Sequence, residues 1–389
     1  VSSHLRLVIP TWTVKGADSG IKTFLTELVV ALQSVEGVDL VLLCDATNRK
    51  VFEPLCRPGR ATIREVVLRG PASLRPLSEQ LLARSIEPSW GHVLVVPSNV
   101  GLVGARLPQV VISQNALTLG SARPPGAVPT GQSRAHKVYF DTLGRWSLRR
   151  ADAVVAVTEW MRDQVIASVP RIDPSRVHVV HEGVRVPDPL PPRSHVGPTR
   201  VLFSSSLWPY KGATLLVDAL AELERKQPEL DWECRFIGKD PSGGAELGRL
   251  NDAVARHGLG RRVTIVGNVA FGDIWQEYVD ADVLAYPSLL ESFGLPALEA
   301  MACATVVVAS DIPALREVVG DAGVLVDPRD TSAFADELVE VVGSPARRQQ
   351  LVEAGRRRAA EMTWDATAEG VVAAARAVVA RTRTGDSRK

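Results

Sequence analysis

Glu291 and Glu299 stand eight positions apart in ESFGLPALE, with Phe293-Gly294-Leu295-Pro296 between them. The apolar run VLAYPS precedes them, and a helix-forming run from Ala297 to Ala302 follows. The first glutamate is therefore expected on a loop leaving a strand. Pro296 suits the first turn of a helix, where its missing N–H costs nothing. The second glutamate falls about one turn into that helix. Backbone N–H groups near Gly294 and the helix start make a site for an anion such as a diphosphate. A carboxylate beside them can accept hydrogen bonds from sugar hydroxyls. By themselves, two glutamates on a loop and a helix are usually just solvated. The surrounding residues give the pair its meaning.

Those glutamates need elements to hold them. In the first half, strands are expected at Leu5 to Pro10, Val38 to Cys44, Val93 to Pro97, Val110 to Ser113, Ala153 to Val157 and Val177 to His181. Helical spacing runs through Phe24, Leu25, Leu28, Val29 and Leu32, and a second helix is expected over Tyr139 to Arg150. Val186 to Pro198 holds five prolines and reads as a linker. The alternation then restarts, with strands at 201–204, 233–237, 263–266, 283–286, 306–309 and 324–326. Helices fall between them, and a long one spans Ala366 to Ala380. Strands alternating with helices predict parallel sheets covered on both faces, hence two Rossmann-like lobes and a cleft. Ligands of such sheets bind beyond the carboxyl ends of the strands.

The 389 residues suffice for two or three domains, and 46% hydrophobic with 23% charged is ordinary for a soluble enzyme. No long apolar run is free of charge, so no transmembrane helix is expected. The opening VSSHLRLVIPTWT goes straight into a strand, without the apolar core of a signal peptide. Cys44, Cys56, Cys234 and Cys303 are scattered and read as reduced thiols of a cytoplasmic protein. The net charge of +1 hides an asymmetry: residues 1–185 carry 22 Lys/Arg against 15 Asp/Glu. A basic first lobe suits an anionic acceptor or a peripheral contact with an anionic membrane, although arginine use in a GC-rich genome is the preferred explanation. No feature points to nucleic acid.

From Pro287-Ser288 to the end of DIPALREVVGDAGVLVDP, the chain resembles the retaining family 4 glycosyltransferases of the GT-B fold. The PS, the glutamate, FG.P, the second glutamate, the Val-rich strand, P..E and G..V.P are all present. The resemblance covers most of the chain and weakens in the N-terminal half. It implies an α/β GT-B fold: an acceptor lobe over 1–185, a linker over 186–198 and a nucleotide-sugar donor lobe over 199–365. Residues 366–389 would form a helix crossing back to the first lobe and a frayed tail. The implied co-substrate is a UDP or GDP sugar, with no cofactor and no metal.

The same resemblance assigns roles. Lys211, in SSSLWPYKG, corresponds to the lysine that neutralises the donor phosphates as the nucleotide leaves. Many relatives have an arginine five residues earlier; here Ser206 stands there, able to donate one hydrogen bond but no charge. Glu299 corresponds to the acceptor of both ribose hydroxyls. Glu291 contacts the donor sugar, with Lys211 the second catalytic residue, and the amides of Phe293, Gly294 and Leu295 line the sugar and β-phosphate. Gly20 belongs to a glycine loop, GADSGI, approaching the diphosphate. Where relatives often have a first-lobe histidine, this chain has Gln114 and Asn115, which bind hydroxyls but cannot act as bases. These two and His136 are the acceptor-side candidates. Asp280-Ala281-Asp282 looks like a metal-binding DxD, but its place between a helix and a strand argues for a structural role.

The implied reaction is retaining, metal-independent sugar transfer with a front-face mechanism, to a small-molecule, lipid-linked or saccharide acceptor. The alternatives are another GT-B enzyme such as a nucleotide-sugar epimerase, or a catalytically silent protein that binds a nucleotide sugar or a partner.

Overall fold

The structure is a computed structural model that describes residues 4–14, 20–68, 75–119, 138–270 and 272–383. The chain divides into two compact units. The first runs to Gly183 and takes in the chain from Thr363 onward; the second contains Val184–Met362.

The first unit is built on seven strands: β1 (Leu5–Pro10), β2 (Val38–Cys44), β3 (Ala61–Glu65), β4 (Val93–Val96), β5 (Gln109–Ser113), β6 (Ala153–Ala156) and β7 (Val177–Val179). They lie in the order β3-β2-β1-β4-β5-β6-β7, every neighbouring pair parallel. The runs VLVV, QVVIS and AVVA are buried at every position, because helices and loops cover both faces of a parallel sheet. β3 is missing from the expected strands. Its sequence, ATIRE, is an exposed to half-buried edge with little apolar pattern to betray it.

The helix Gly20–Leu32 buries Phe24, Leu25, Leu28, Val29 and Leu32, one face of a 3.6-residue period. The C-terminal helix Trp364–Arg383 packs against it and against β4, β5 and β6. Trp364 meets Phe24 edge to face, ring centroids 5.5 Å apart. Thr367 Oγ1 donates to the His181 carbonyl and Arg381 to the Asp152 carbonyl. This helix belongs to the first unit's fold although the second unit precedes it in the chain. Between residues 138 and 150, a π-helical turn, Phe140–Gly144, leads into the α-helix Arg145–Arg150.

The second unit has six strands: β8 (Thr199–Ser204), β9 (Trp232–Ile237), β10 (Val263–Gly267), β11 (Val283–Tyr286), β12 (Val306–Ser310) and β13 (Val324–Val326). Their order is β10-β9-β8-β11-β12-β13, again all parallel. Val283 pairs with Val201 and Leu284 with Leu202 across the centre. The core gathers Phe203, Phe236 and Trp232 from the strands with Leu216, Leu220 and Phe334 from the helices. Phe203 and Phe236 stack at 5.2 Å.

The proline-rich stretch 186–198 has no helix or strand, yet it is fastened to the second unit. Asp280 accepts hydrogen bonds from the Ser194 amide and hydroxyl and from the His195 amide. Asp282 accepts from Arg193 and from the Arg200 amide. Among the described residues, no helix is long and apolar enough to cross a membrane.

Candidate active site

In the second sheet the strand order turns outward in both directions from the β8–β11 pair. Chain leaving the carboxyl ends of these two strands diverges, one connection to each face, and leaves a crevice between. Lys211 lies on the loop after β8, and Glu291 on the loop after β11. Topology therefore brings together two residues far apart in sequence.

Lys211 ends a short 3₁₀ turn, Pro209–Lys211, and Gly212 caps the helix Ala213–Lys226 behind it. Gly212 sits at φ 75°, and a Cβ there would come within 2.2 Å of the Pro287 carbonyl oxygen. Only glycine allows the β8 loop to lie so close to the β11 loop. The Leu289 amide donates to the Tyr210 carbonyl at 2.7 Å and ties the same two loops together.

The Lys211 Nζ donates to both carboxylate oxygens of Glu291, at 2.6 and 2.8 Å. The two side chains are 15% and 8% exposed. Each ion loses solvation there, and mutual attraction must offset that cost. Aromatic faces add to the enclosure: Nζ lies 5.4 Å from the Tyr210 ring centroid and 5.8 Å from that of Tyr286. Burial, and then the Glu291 carboxylate, push both tyrosine hydroxyls well above the ordinary phenol range, so both stay protonated.

Gly294 caps the helix Leu295–Ala302 at φ 113°, and a Cβ there would strike Leu315 Cδ2 at 2.6 Å. Pro296 lies in the first turn. The Gly294 carbonyl accepts from the Ala297 and Leu298 amides. Phe293 is buried beneath the loop. The amides of Gly294 and Leu295 carry no hydrogen bond among the described residues, which leaves them available to an anion at the helix start.

Glu299 is half-buried on that helix. Its Oε2 accepts from the Tyr278 hydroxyl at 2.8 Å, and Oε1 has no protein partner among the described residues. Burial raises its carboxyl above the ordinary range, and the Tyr278 hydrogen bond works against that rise. Ser206 is half-buried, and its hydroxyl makes no hydrogen bond among the described residues.

In the first unit, Gly20 is the exposed first residue of its helix. The preceding residues 15–19 and His136 lie outside the described residues. Gln114 and Asn115 follow β5. Asn99 Oδ1, on the loop after β4, accepts from both of their amides, at 2.9 and 3.0 Å. Asn115 Oδ1 caps the next turn by accepting from the Leu117 amide. Gln114 Nε2 is enclosed and has no partner among the described residues.

The structure thus unites Lys211, Glu291, Gly294, Leu295 and Phe293 at one strand-end crevice, with Glu299 on the adjoining helix. It adds Tyr210, Tyr278 and Tyr286, which sequence reading passed over although each lies beside a motif. Asp280 and Asp282 are occupied by the linker and by Arg200, and among the described residues no cluster of His, Cys, Asp or Glu is gathered as metal ligands would be.

Comparison with known proteins agrees with this frame. Residues 19–183 match the glycosyl transferase 4-like domain, and residues 191–358 match glycosyl transferases group 1. A D-inositol 3-phosphate glycosyltransferase of Jonesia denitrificans is 35% identical over 235 residues, 55% of this chain and 54% of that protein. The match therefore spans about half the relative's length. Among solved structures, sucrose-phosphate synthase of Thermosynechococcus elongatus superposes with a TM-score of 0.75 at 21% identity, covering 97% of this chain and 99% of that one. Anabaena HepE, in complex with UDP and glucose, gives 0.73 at 19% identity, with 95% and 98% covered. The chain belongs to the family 4-type glycosyltransferases of the GT-B fold.

Proposed function

We propose that this protein transfers a sugar from a UDP or GDP sugar to an acceptor nucleophile, with retention of anomeric configuration and without a metal ion. The observation that carries the proposal is the Lys211–Glu291 pair at the β8–β11 crevice, beside the unoccupied amides of Gly294 and Leu295. A lysine and a helix start together can hold a diphosphate and neutralise its charge as it departs. Glu291, released from Lys211 by the phosphate, accepts from the donor sugar's hydroxyls. Glu299 Oε1 accepts from the ribose. Metal independence is supported by the side-chain cation at the phosphate position and by the full engagement of Asp280 and Asp282 in protein hydrogen bonds.

Retention follows from the division of labour between the carboxylates. Glu299 is assigned to the ribose, so the two glutamates do not flank the anomeric carbon as an acid–base pair. Inversion needs a base opposite the leaving group, and on this reading both glutamates have other work. The departing phosphate oxygen then serves as proton acceptor on the same face.

The test is release of free nucleotide from UDP and GDP sugars, with an acceptor panel that begins with D-inositol 3-phosphate, the substrate in the relative's name. Release should depend on acceptor and persist in EDTA. NMR of the product's anomeric coupling from an α-linked donor should show an α linkage. A β-linked product overturns the mechanism, and loss in EDTA restored by manganese overturns metal independence.

A further inference from the structure

Behind Glu299 lies a buried chain of hydroxyls. Ser204 is the last residue of β8 and is 4% exposed. Tyr278, on the helix Ile274–Asp280, is fully buried. The Tyr278 hydroxyl is 2.8 Å from Glu299 Oε2 and 3.1 Å from Ser204 Oγ. It has one proton. An ionised carboxylate only accepts, so that proton goes to Glu299, and the tyrosine oxygen must accept from Ser204. The order of donation is Ser204, Tyr278, Glu299. Thr305 Oγ1 donates to the Tyr278 carbonyl at 2.6 Å and fixes the end of the tyrosine's helix.

We infer that Tyr278 and Ser204 are positioning residues for nucleotide binding: their hydroxyl chain holds Glu299 ionised and oriented by Oε2, leaving Oε1 for the ribose. The inference rests on the reading of Glu299 as the ribose acceptor. Hydrogen bonds in series polarise one another, and a donor to a buried carboxylate favours its charged form. The opposing influence is burial, which holds the Glu299 carboxyl above the ordinary range. The titratable groups that face Glu299 are Tyr278 and Cys303, and Arg356 faces Cys303 in turn. Both Tyr278 and Cys303 are pushed upward by burial first and by the Glu299 carboxylate next, so neither ionises where Glu299 titrates.

The experiment is calorimetric titration of UDP and of GDP into the full chain from pH 8 to pH 5. Tyr278→Phe should weaken the preferred nucleotide by up to about tenfold at pH 7, because Glu299 loses the donor that orients it for its own charged hydrogen bonds to the ribose. Its affinity should also collapse at a higher pH than in the parent, because the carboxylate has lost its donor. Ser204→Ala should move both in the same direction by less. In Glu299→Ala, binding should be weak and keep only the pH dependence of the nucleotide's own terminal phosphate, and adding Tyr278→Phe should cost nothing further. An equal loss at every pH, or a full additional loss on the Glu299→Ala background, overturns the inference and leaves Tyr278 a packing residue. If Glu299→Ala binds nucleotide like the parent, or the parent binds neither nucleotide, the ribose reading itself falls and takes the inference with it. Should Tyr278→Phe not fold, Ser204→Ala decides: its pH midpoint either rises or the inference is lost.

Discussion

Replacing Lys211 by methionine removes one member of a pair whose partner stays buried. At 2.6–2.8 Å the attraction is large before solvation is counted, on the order of 6 kcal/mol with an effective dielectric constant near 20. Desolvating both ions offsets most of it, so the intact pair adds little net stability. Losing the lysine is different, because Glu291 keeps its desolvation cost and loses its cation. That change costs about 3–5 kcal/mol. For a domain of this size, each kcal/mol lowers the melting temperature by about 2–4 °C, so a drop on the order of 10 °C is expected by differential scanning fluorimetry. Glu291→Leu in the same chain removes the stranded charge, and the double variant should recover most of the loss. Turnover should behave otherwise. Donor-dependent nucleotide release should fall sharply in Lys211→Met, and the double variant should stay inactive, because no cation meets the leaving phosphate. A single variant that melts within about 2 °C of the parent would show that the pair does not form in the free protein. A double variant that regains turnover would remove Lys211 from the phosphate.

Three further outcomes are expected. Glu299→Gln should raise the melting temperature of the ligand-free protein near pH 7 while weakening nucleotide binding. The native carboxyl is raised, so the folded state holds its proton to higher pH than the unfolded one; stability from that residue is present at low pH and lost as pH rises, and the variant's advantage should vanish in acid. Gly212→Ala should destabilise by about 2 kcal/mol or more in urea titrations, since a left-handed backbone and the Pro287 carbonyl both oppose a methyl group there; a midpoint like the parent's would contradict the loop geometry. For Asp280, burial disfavours the charge, but hydrogen bonds from Ser194, His195 and Gln276 prevail and hold the carboxyl down at about 2. Its contribution, about 2 kcal/mol, is present above the ordinary value of 3.8 and lost as pH falls toward 2, so Asp280→Asn should cost stability at pH 7 and almost nothing near pH 2.

Long apolar runs and turn residues made most strands and helices legible, because buried parallel strands write themselves as uninterrupted valine, leucine and isoleucine. β3 was hidden by its half-exposed edge position. In the site, Lys211, Glu291 and Glu299 could each be found beside a motif, but their relations could not. That Lys211 and Glu291 touch depends on which strands neighbour at the centre of the sheet, a matter of topology that no local pattern encodes. Tyr278 gave no signal of the role inferred for it, since a tyrosine at a buried helical position looks like core. The aspartates of the DAD stretch illustrate the reverse. Their spacing resembles a metal motif and their place between a helix and a strand argues for a structural role, but only the hydrogen bonds show that the segment they hold is the proline-rich one. Asn99 escaped notice for a similar reason: its side chain organises a turn that follows a different strand.

The self-neutralised state of the crevice has a consequence for selectivity. A ligand that brings only a negative charge can take Lys211, but it strands the Glu291 carboxylate with nothing to receive. One that brings hydroxyls without phosphate meets a glutamate already engaged. A sugar phosphate ester offers the anion and the hydroxyls in one molecule, so both halves of the pair are exchanged for equivalent partners. On the proposed reading of the site, an anion without hydroxyl groups, such as sulfate, should be a poor competitor, and the discrimination needs no steric barrier at the mouth of the site.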